Sequence, residues 1–147
     1  MDMSCMATSP SLIRVTPDKE KAKSMLRMSQ ITLARIHETD PEKYSTNILR
    51  DYYEILRELI TCIALLDGFK AVGEGAHRTL IHFMRRYIPP LAEHDIQFMN
   101  SLRDIRNEIA YDGLCIATDI LEERRERIEQ LIAILSGLAE ERGREKS

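Results

Sequence analysis

The stretch Ser101 to Gly113, SLRDIRNEIAYDG, gathers the residue types best suited to chemistry. Arg103, Arg106 and Asn107 offer two planar guanidinium forks and an amide, a set that makes bidentate contacts with phosphate or carboxylate; an RNA backbone is one such ligand. If the stretch is helical, the neighbours of Arg106 at i−7, i−4, i+3 and i+4 are Met99, Leu102, Ile109 and Ala110, all apolar. Arg106 therefore stands in a hydrophobic seam, where an unpaired charge costs several kcal/mol. At about 100° per residue, Arg103 and Asn107 flank that seam while Asp104 and Glu108 lie well away from it. Two outcomes satisfy Arg106. One is an interhelical salt bridge, for instance with Glu54 or Glu58; the other is a bound phosphate.

The elements that must position these residues follow from hydrophobic periodicity. Thr16 and Pro17 have the character of an N-cap and first helical residue, with Asp18 and Glu20 near the positive helix end. A first helix then runs to about His37, with Met25, Met28, Ile31, Thr32, Arg35 and Ile36 along its stripe. Tyr44-Ser45 restarts the chain, and Ile48, Leu49, Tyr52, Ile55, Leu56, Leu59, Ile60, Ile63 and Leu66 keep a 3.6-residue period. Asp67-Gly68 ends this second helix, and the glycine-rich segment to Ala76 reads as a connection. A third helix, roughly His77 to Tyr87, stops at Ile88-Pro89-Pro90. Pro90 opens a fourth, with Ile96, Met99, Leu102, Ile105 and Ile109 in its seam, ending at Tyr111-Asp112-Gly113. A last helix from about Thr118 carries Ile120, Leu121, Ile128, Leu131, Ile132, Leu135 and Leu138. Its EERRER run, Glu122 to Arg127, reads as a solvated face. No strand-like alternation of useful length is visible. The expectation is an all-α, up-and-down antiparallel bundle of four to five helices, with a loose leader at residues 1–15, one domain at 16–142 and a frayed tail at 143–147.

Composition narrows the class. The chain has 147 residues, 31% of them charged and 44% hydrophobic, with a net charge of −3. That balance argues against wrapping duplex DNA through bulk basicity, although a local cluster can still hold a few phosphates. Cys5, Cys62 and Cys115 are widely separated and form no CxxC pair, which suits a reducing compartment. There is no signal-peptide pattern, and the apolar run Leu59 to Leu66 is too short to cross a bilayer. A cytoplasmic protein without cofactor or metal is expected. The methionines at 25, 28, 84 and 99 fall at core-like positions, and Arg85-Arg86 reads as surface.

A helical bundle in which one helix carries an RN dipeptide near its C-terminal end, followed by an aromatic and glycine turn, resembles the HEPN domain (higher eukaryotes and prokaryotes nucleotide-binding). The resemblance runs from about Lys23 to Leu138, including YYEILRELI on the second helix, and its specific part is RNEIAYDG. It implies a homodimer in which two such helices build a composite cleft, and often a nucleotidyltransferase-type antitoxin as partner. In active relatives the arginine, followed after four to six residues by histidine, cuts RNA without metal, using the 2′-hydroxyl as nucleophile.

Arg106 and Asn107 match the RN part, but Tyr111, Asp112 and Gly113 occupy the positions where the histidine belongs, and none follows His94. Imidazole, with a pKa of about 6.5, suits proton transfer near neutral pH, whereas a phenol near 10 is a poor base. Losing one acid–base group removes a factor of about 10² to 10⁴ in rate. His94 lies roughly 18 Å from Arg106 along the helix axis, so it reaches that residue only across an antiparallel dimer. His77 and His82 are five apart, on different sides of a helix, and make no metal pair. The expectation is RNA or nucleotide-phosphate binding through Arg103, Arg106 and Asn107, as a toxin–antitoxin-type component with weak or absent nuclease activity. The alternatives are a non-catalytic helical adaptor and an active metal-independent endoribonuclease using Arg106 and Tyr111.

Overall fold

The longest unbroken apolar stripe in the sequence forms the central helix of the fold. The structure, a computed structural model, describes residues 11–145. Its elements are β1 (Ser11–Arg14), α1 (Lys19–His37), α2 (Ser45–Leu66), β2 (Phe69–Val72), α3 (Ala76–Phe83) with a 3₁₀ turn at Met84–Tyr87, α4 (Glu93–Asp112) and α5 (Thr118–Glu145). Helix α2 buries Ile48, Leu49, Tyr52, Ile55, Leu56, Leu59, Ile60, Ile63 and Leu66, and it touches each of the other four helices and β2. It works as the hub because its apolar residues extend almost around the helix. The mostly helical architecture agrees with the all-α expectation.

Several local expectations are corrected. Residues 11–14 are not part of a loose leader. They pair antiparallel with β2, Ser11 opposite Val72 and Arg14 opposite Phe69, and Val15 N–H donates to the Gly68 carbonyl at 2.9 Å. Four-residue strands so far apart in sequence give too little alternation to be recognised. Gly68 is needed at the junction: its φ is +86°, and a Cβ there would lie 3.3 Å from the Val15 oxygen. The cap of α1 is Asp18, whose carboxylate accepts the Lys21 N–H at 3.0 Å, and α4 begins at Glu93 rather than Pro90. At the other end α5 continues as helix through residues 143–145. The remaining leader residues, 1–10, and the last two, 146–147, lie outside the described residues.

The buried face of α1 is also rotated from the expected stripe. Ala22, Ser29 and Ile36 are buried, whereas Met28 and Ile31 are 52% and 53% exposed. Apolar residues occur on more than one side of this helix, so packing on α2 and not periodicity selects the inward side. Met28 therefore leaves the set of core methionines, while Met84 and Met99 stay in it.

Polar side chains fix α5 against α2. Tyr52 Oη donates to Glu129 Oε2 at 2.5 Å and receives Arg125 Nε at 3.0 Å, and Arg142 meets Asp67 at 2.6 Å. The EERRER run is thus only partly a solvated face: Arg125 reaches Tyr52, and Arg127 covers the Phe98 ring at 4.2 Å. Ser45 Oγ donates to the Ile116 carbonyl while Ile116 N–H donates to Thr46 Oγ1 at 2.8 Å, tying the α4–α5 connection to the first turn of α2. This tie follows the C-terminal end of α4, the half that carries Arg103 and Arg106.

Candidate functional site

Helix α4 buries Ile96, Met99, Leu102 and Ile109, which turns Arg103, Arg106 and Asn107 toward α2 at the edge of the core. The Arg103 and Arg106 side chains are only 18% and 25% exposed. The sequence argument offered Glu54 or Glu58 as a partner for Arg106, and Glu54 is the one within reach, with Oε1 at 3.5 Å from Arg106 Nη2. Glu54 is already engaged by Arg57, whose Nη2 donates at 2.7 Å and Nε at 3.0 Å to Oε2. Glu58 is instead left with a carboxyl pushed up by burial, against the pull of Arg57.

Arg106 is loosely held. Its other polar contact, Nη1 to Asn107 Oδ1, is also 3.5 Å long, at the limit of a hydrogen bond. Arg103 Nη2 reaches the exposed Asp104 carboxylate at 3.1 Å. The Nε donors of both arginines are buried with no acceptor among the described residues; the acceptor Oδ1 of Asn100 and the hydroxyl of Tyr53 are likewise buried without a hydrogen-bond partner. Buried donors without acceptors are uncommon in folded chains and mark places where a further group completes the set.

Two residues that the sequence argument set aside or did not single out join this cluster. Tyr53, on α2, is 3% exposed, and burial pushes its hydroxyl up to about 12 even though Arg103 and Arg106 pull the other way. His77, in the first turn of α3, sets its ring 6.3 Å from that of Tyr53. Burial holds His77 below its ordinary value, aided by Arg57, Arg106 and Arg103 and opposed by Glu54. Arg57 and Arg106 therefore share the Glu54 carboxylate while Arg103 pairs with Asp104, and beside them lie a neutral phenol and an imidazole biased toward its neutral form. The available sequence signal was the i,i+4 pair Tyr53 and Arg57 beside Glu54. No one-chain pattern ties His77 to it, because a turn and a strand intervene.

Tyr111 stands apart at the end of α4, 78% exposed, with no hydrogen bond or ion pair among the described residues joining it to Arg106. His94 is exposed on the first turn of α4, near Asp95 at 3.7 Å. Among the described residues no group of three or more His, Cys, Asp or Glu side chains gathers to hold a metal ion, and no helix is long and apolar enough to cross a membrane. Cys62 is buried, with Sγ directed to the Ala22 carbonyl at 3.3 Å. No family model, curated protein or solved structure matches the chain.

Proposed function

We propose that the face between α2 and α4 is a phosphate site for RNA or a nucleotide, built for binding more than for cutting. One observation carries this reading: two largely covered arginines present Nε donors that no acceptor meets, and the contacts of Arg106 with Glu54 and Asn107 are both 3.5 Å long. A guanidinium so placed gains by exchanging long internal contacts for short, charge-assisted bonds to phosphate. Within this proposal Arg103, Arg106 and Asn107 hold the phosphate, in keeping with the HEPN resemblance of RNEIAYDG. A second copy of the chain, and a nucleotidyltransferase-type antitoxin covering the cleft, belong to the same proposal. Tyr111, exposed and apart from the cluster, does not supply the missing acid–base group within one chain.

The test is binding of labelled single-stranded RNA in EDTA, followed by fluorescence anisotropy and by gel for cleavage. Arg106→Ala should weaken binding about tenfold and lower the salt slope by about 0.7, the contribution of one phosphate contact on a single strand. Tyr111→Phe should change neither binding nor the background of cleavage. Unchanged affinity in Arg106→Ala refutes the proposal.

One observation favours a second reading, a structural adaptor. The Arg106–Glu54 pair is the interhelical salt bridge that such a module would need. In that case Arg106→Ala lowers thermal stability or splits a dimer, and RNA is not bound.

A further inference from the structure

A cavity of about 200 Å³ opens beside the arginine cluster, between the start of α1, the middle of α2, β2 and the first turn of α3. It shares Arg57 and His77 with the cluster, so the two features adjoin. Lys21 and Lys70 complete a basic rim, and among the described residues no carboxylate lines it. Its interior is apolar, with Phe69 and Leu80 among the walls. The Phe69 ring carries the Arg86 guanidinium at 4.7 Å and that of Arg14 at 5.4 Å from its centroid, which adds positive charge to this wall.

An inorganic phosphate has no use for the apolar interior, and a neutral apolar molecule has none for the basic rim. A ligand that uses both carries an anionic group next to a flat, weakly polar body. Proteins that hold single-stranded nucleic acid combine a cationic track for the backbone with apolar or aromatic surfaces for the bases. Arg57 and Arg106 already converge on one carboxylate, Glu54, and so lie within reach of one phosphate.

We infer that the cavity is the base-binding half of a nucleotide site: one nucleotide unit seats its phosphate on Arg57 and Arg106 and its base in the cavity, with His77 at the junction. This rests on the proposed phosphate role of the cluster and adds to it a subsite with its own residues. The shared chemistry is that of a nucleoside monophosphate, either free or within a single-stranded RNA.

Calorimetry on the full chain distinguishes these sources, with adenosine 5′-monophosphate, uridine 5′-monophosphate, ribose 5-phosphate and a single-stranded RNA decamer as probes. A nucleoside monophosphate should bind about tenfold more tightly than ribose 5-phosphate, the contribution of seating one base. Ala76→Trp, at a half-buried position on the cavity wall, should abolish that difference and weaken the decamer about tenfold, leaving ribose 5-phosphate unchanged. Lys70→Glu, on the exposed rim, should weaken every phosphate ligand without touching the core, which keeps the test valid if Ala76→Trp fails to fold. Tight binding of the decamer, with monophosphates that bind weakly but still about tenfold better than ribose 5-phosphate, assigns the subsite to RNA; tight binding of a monophosphate assigns it to the free nucleotide. Equal affinity for ribose 5-phosphate and the nucleoside monophosphates overturns the inference. So does a folded Ala76→Trp that binds the decamer normally while Arg106→Ala does not, an outcome that leaves the phosphate site standing. If Arg106→Ala also binds normally, the phosphate site falls with it.

Discussion

Replacing Glu54 with glutamine separates a phosphate site from a structural salt bridge, because both predict a loss of stability but only the phosphate site predicts tighter binding. Glu54 is the one carboxylate joining Arg57, at 2.7 Å, to Arg106, at 3.5 Å. At an effective dielectric near 20 a pair at such distances attracts by about 5–6 kcal/mol, and desolvation and side-chain entropy leave roughly 1 kcal/mol net for pairs about a quarter exposed. Glu54→Gln should therefore lower the melting temperature by about 3 °C, the shift expected for 1 kcal/mol in a domain of this size. A phosphate bound to Arg106 would sit close to the same carboxylate and be repelled by it. Removing that charge should tighten RNA binding by on the order of 1 kcal/mol after screening, a factor of about five in Kd. The assay is anisotropy titration of a labelled single-stranded RNA at two salt concentrations, with a thermal melt of the same preparation. Destabilisation together with unchanged or weaker binding would refute the reasoning, since the carboxylate would then be supporting the arginines instead of competing for them.

Three further outcomes follow from other parts of the fold. Ser45→Ala leaves the buried Ile116 carbonyl without its hydroxyl donor and should cost about 1–2 kcal/mol in a urea titration, with little change in slope. Burial pushes the Glu129 carboxyl up, but hydrogen bonds from Tyr52 and His37 and the charge of Arg125 outweigh it and hold the group below its ordinary 4.5. Its contribution to stability is then complete above pH 4.5 and is lost as pH falls through the lower folded value, so Tyr52→Phe should flatten this acid limb of a stability–pH profile. His77, facing Tyr53, Glu54 and Arg57 from α2 and Arg103 and Arg106 from α4, with Lys21 and Lys70 beside the cavity, is held below 6.5 chiefly by burial and then by the arginines. Protonation adds a cation beside the proposed phosphate, so RNA affinity should rise as pH falls through the lowered His77 value, which lies below the ordinary 6.5, and His77→Gln should remove that rise.

The helices and the Glu54 contact were legible because both depend on short-range rules. A 3.6-residue period marks α2 unambiguously, and an arginine in an apolar seam demands a partner, for which the sequence offered Glu54 or Glu58 on α2 or a bound phosphate and of which the fold brings Glu54 within reach. The inward side of α1 was not legible, since Met28 and Ile31 satisfy the same period as Met25 and Ile36 while only contact with α2 decides between them. The hairpin and His77 were missed for a related reason. Ser11 pairs with Val72, and His77 meets Tyr53, through contacts between segments whose own sequences carry no mark of the partner. What the sequence located in the candidate cluster was the α4 arginines and a carboxylate on α2; Tyr53 and His77 needed the fold.

The short hairpin determines where the chain can be shortened. The first 15 residues look dispensable in sequence, yet Ser11–Arg14 covers one edge of β2, and β2 supplies Phe69, Lys70 and Ala71 to the cavity wall. A version beginning at Thr16 would leave the outer backbone groups of β2 unpaired, and an open strand edge invites pairing with other chains. It would also deform the wall against which a base is proposed to rest. Loss of binding in such a shortened protein would therefore report damage to the pocket, and its aggregation would report an uncovered edge; neither would identify the leader as a binding element.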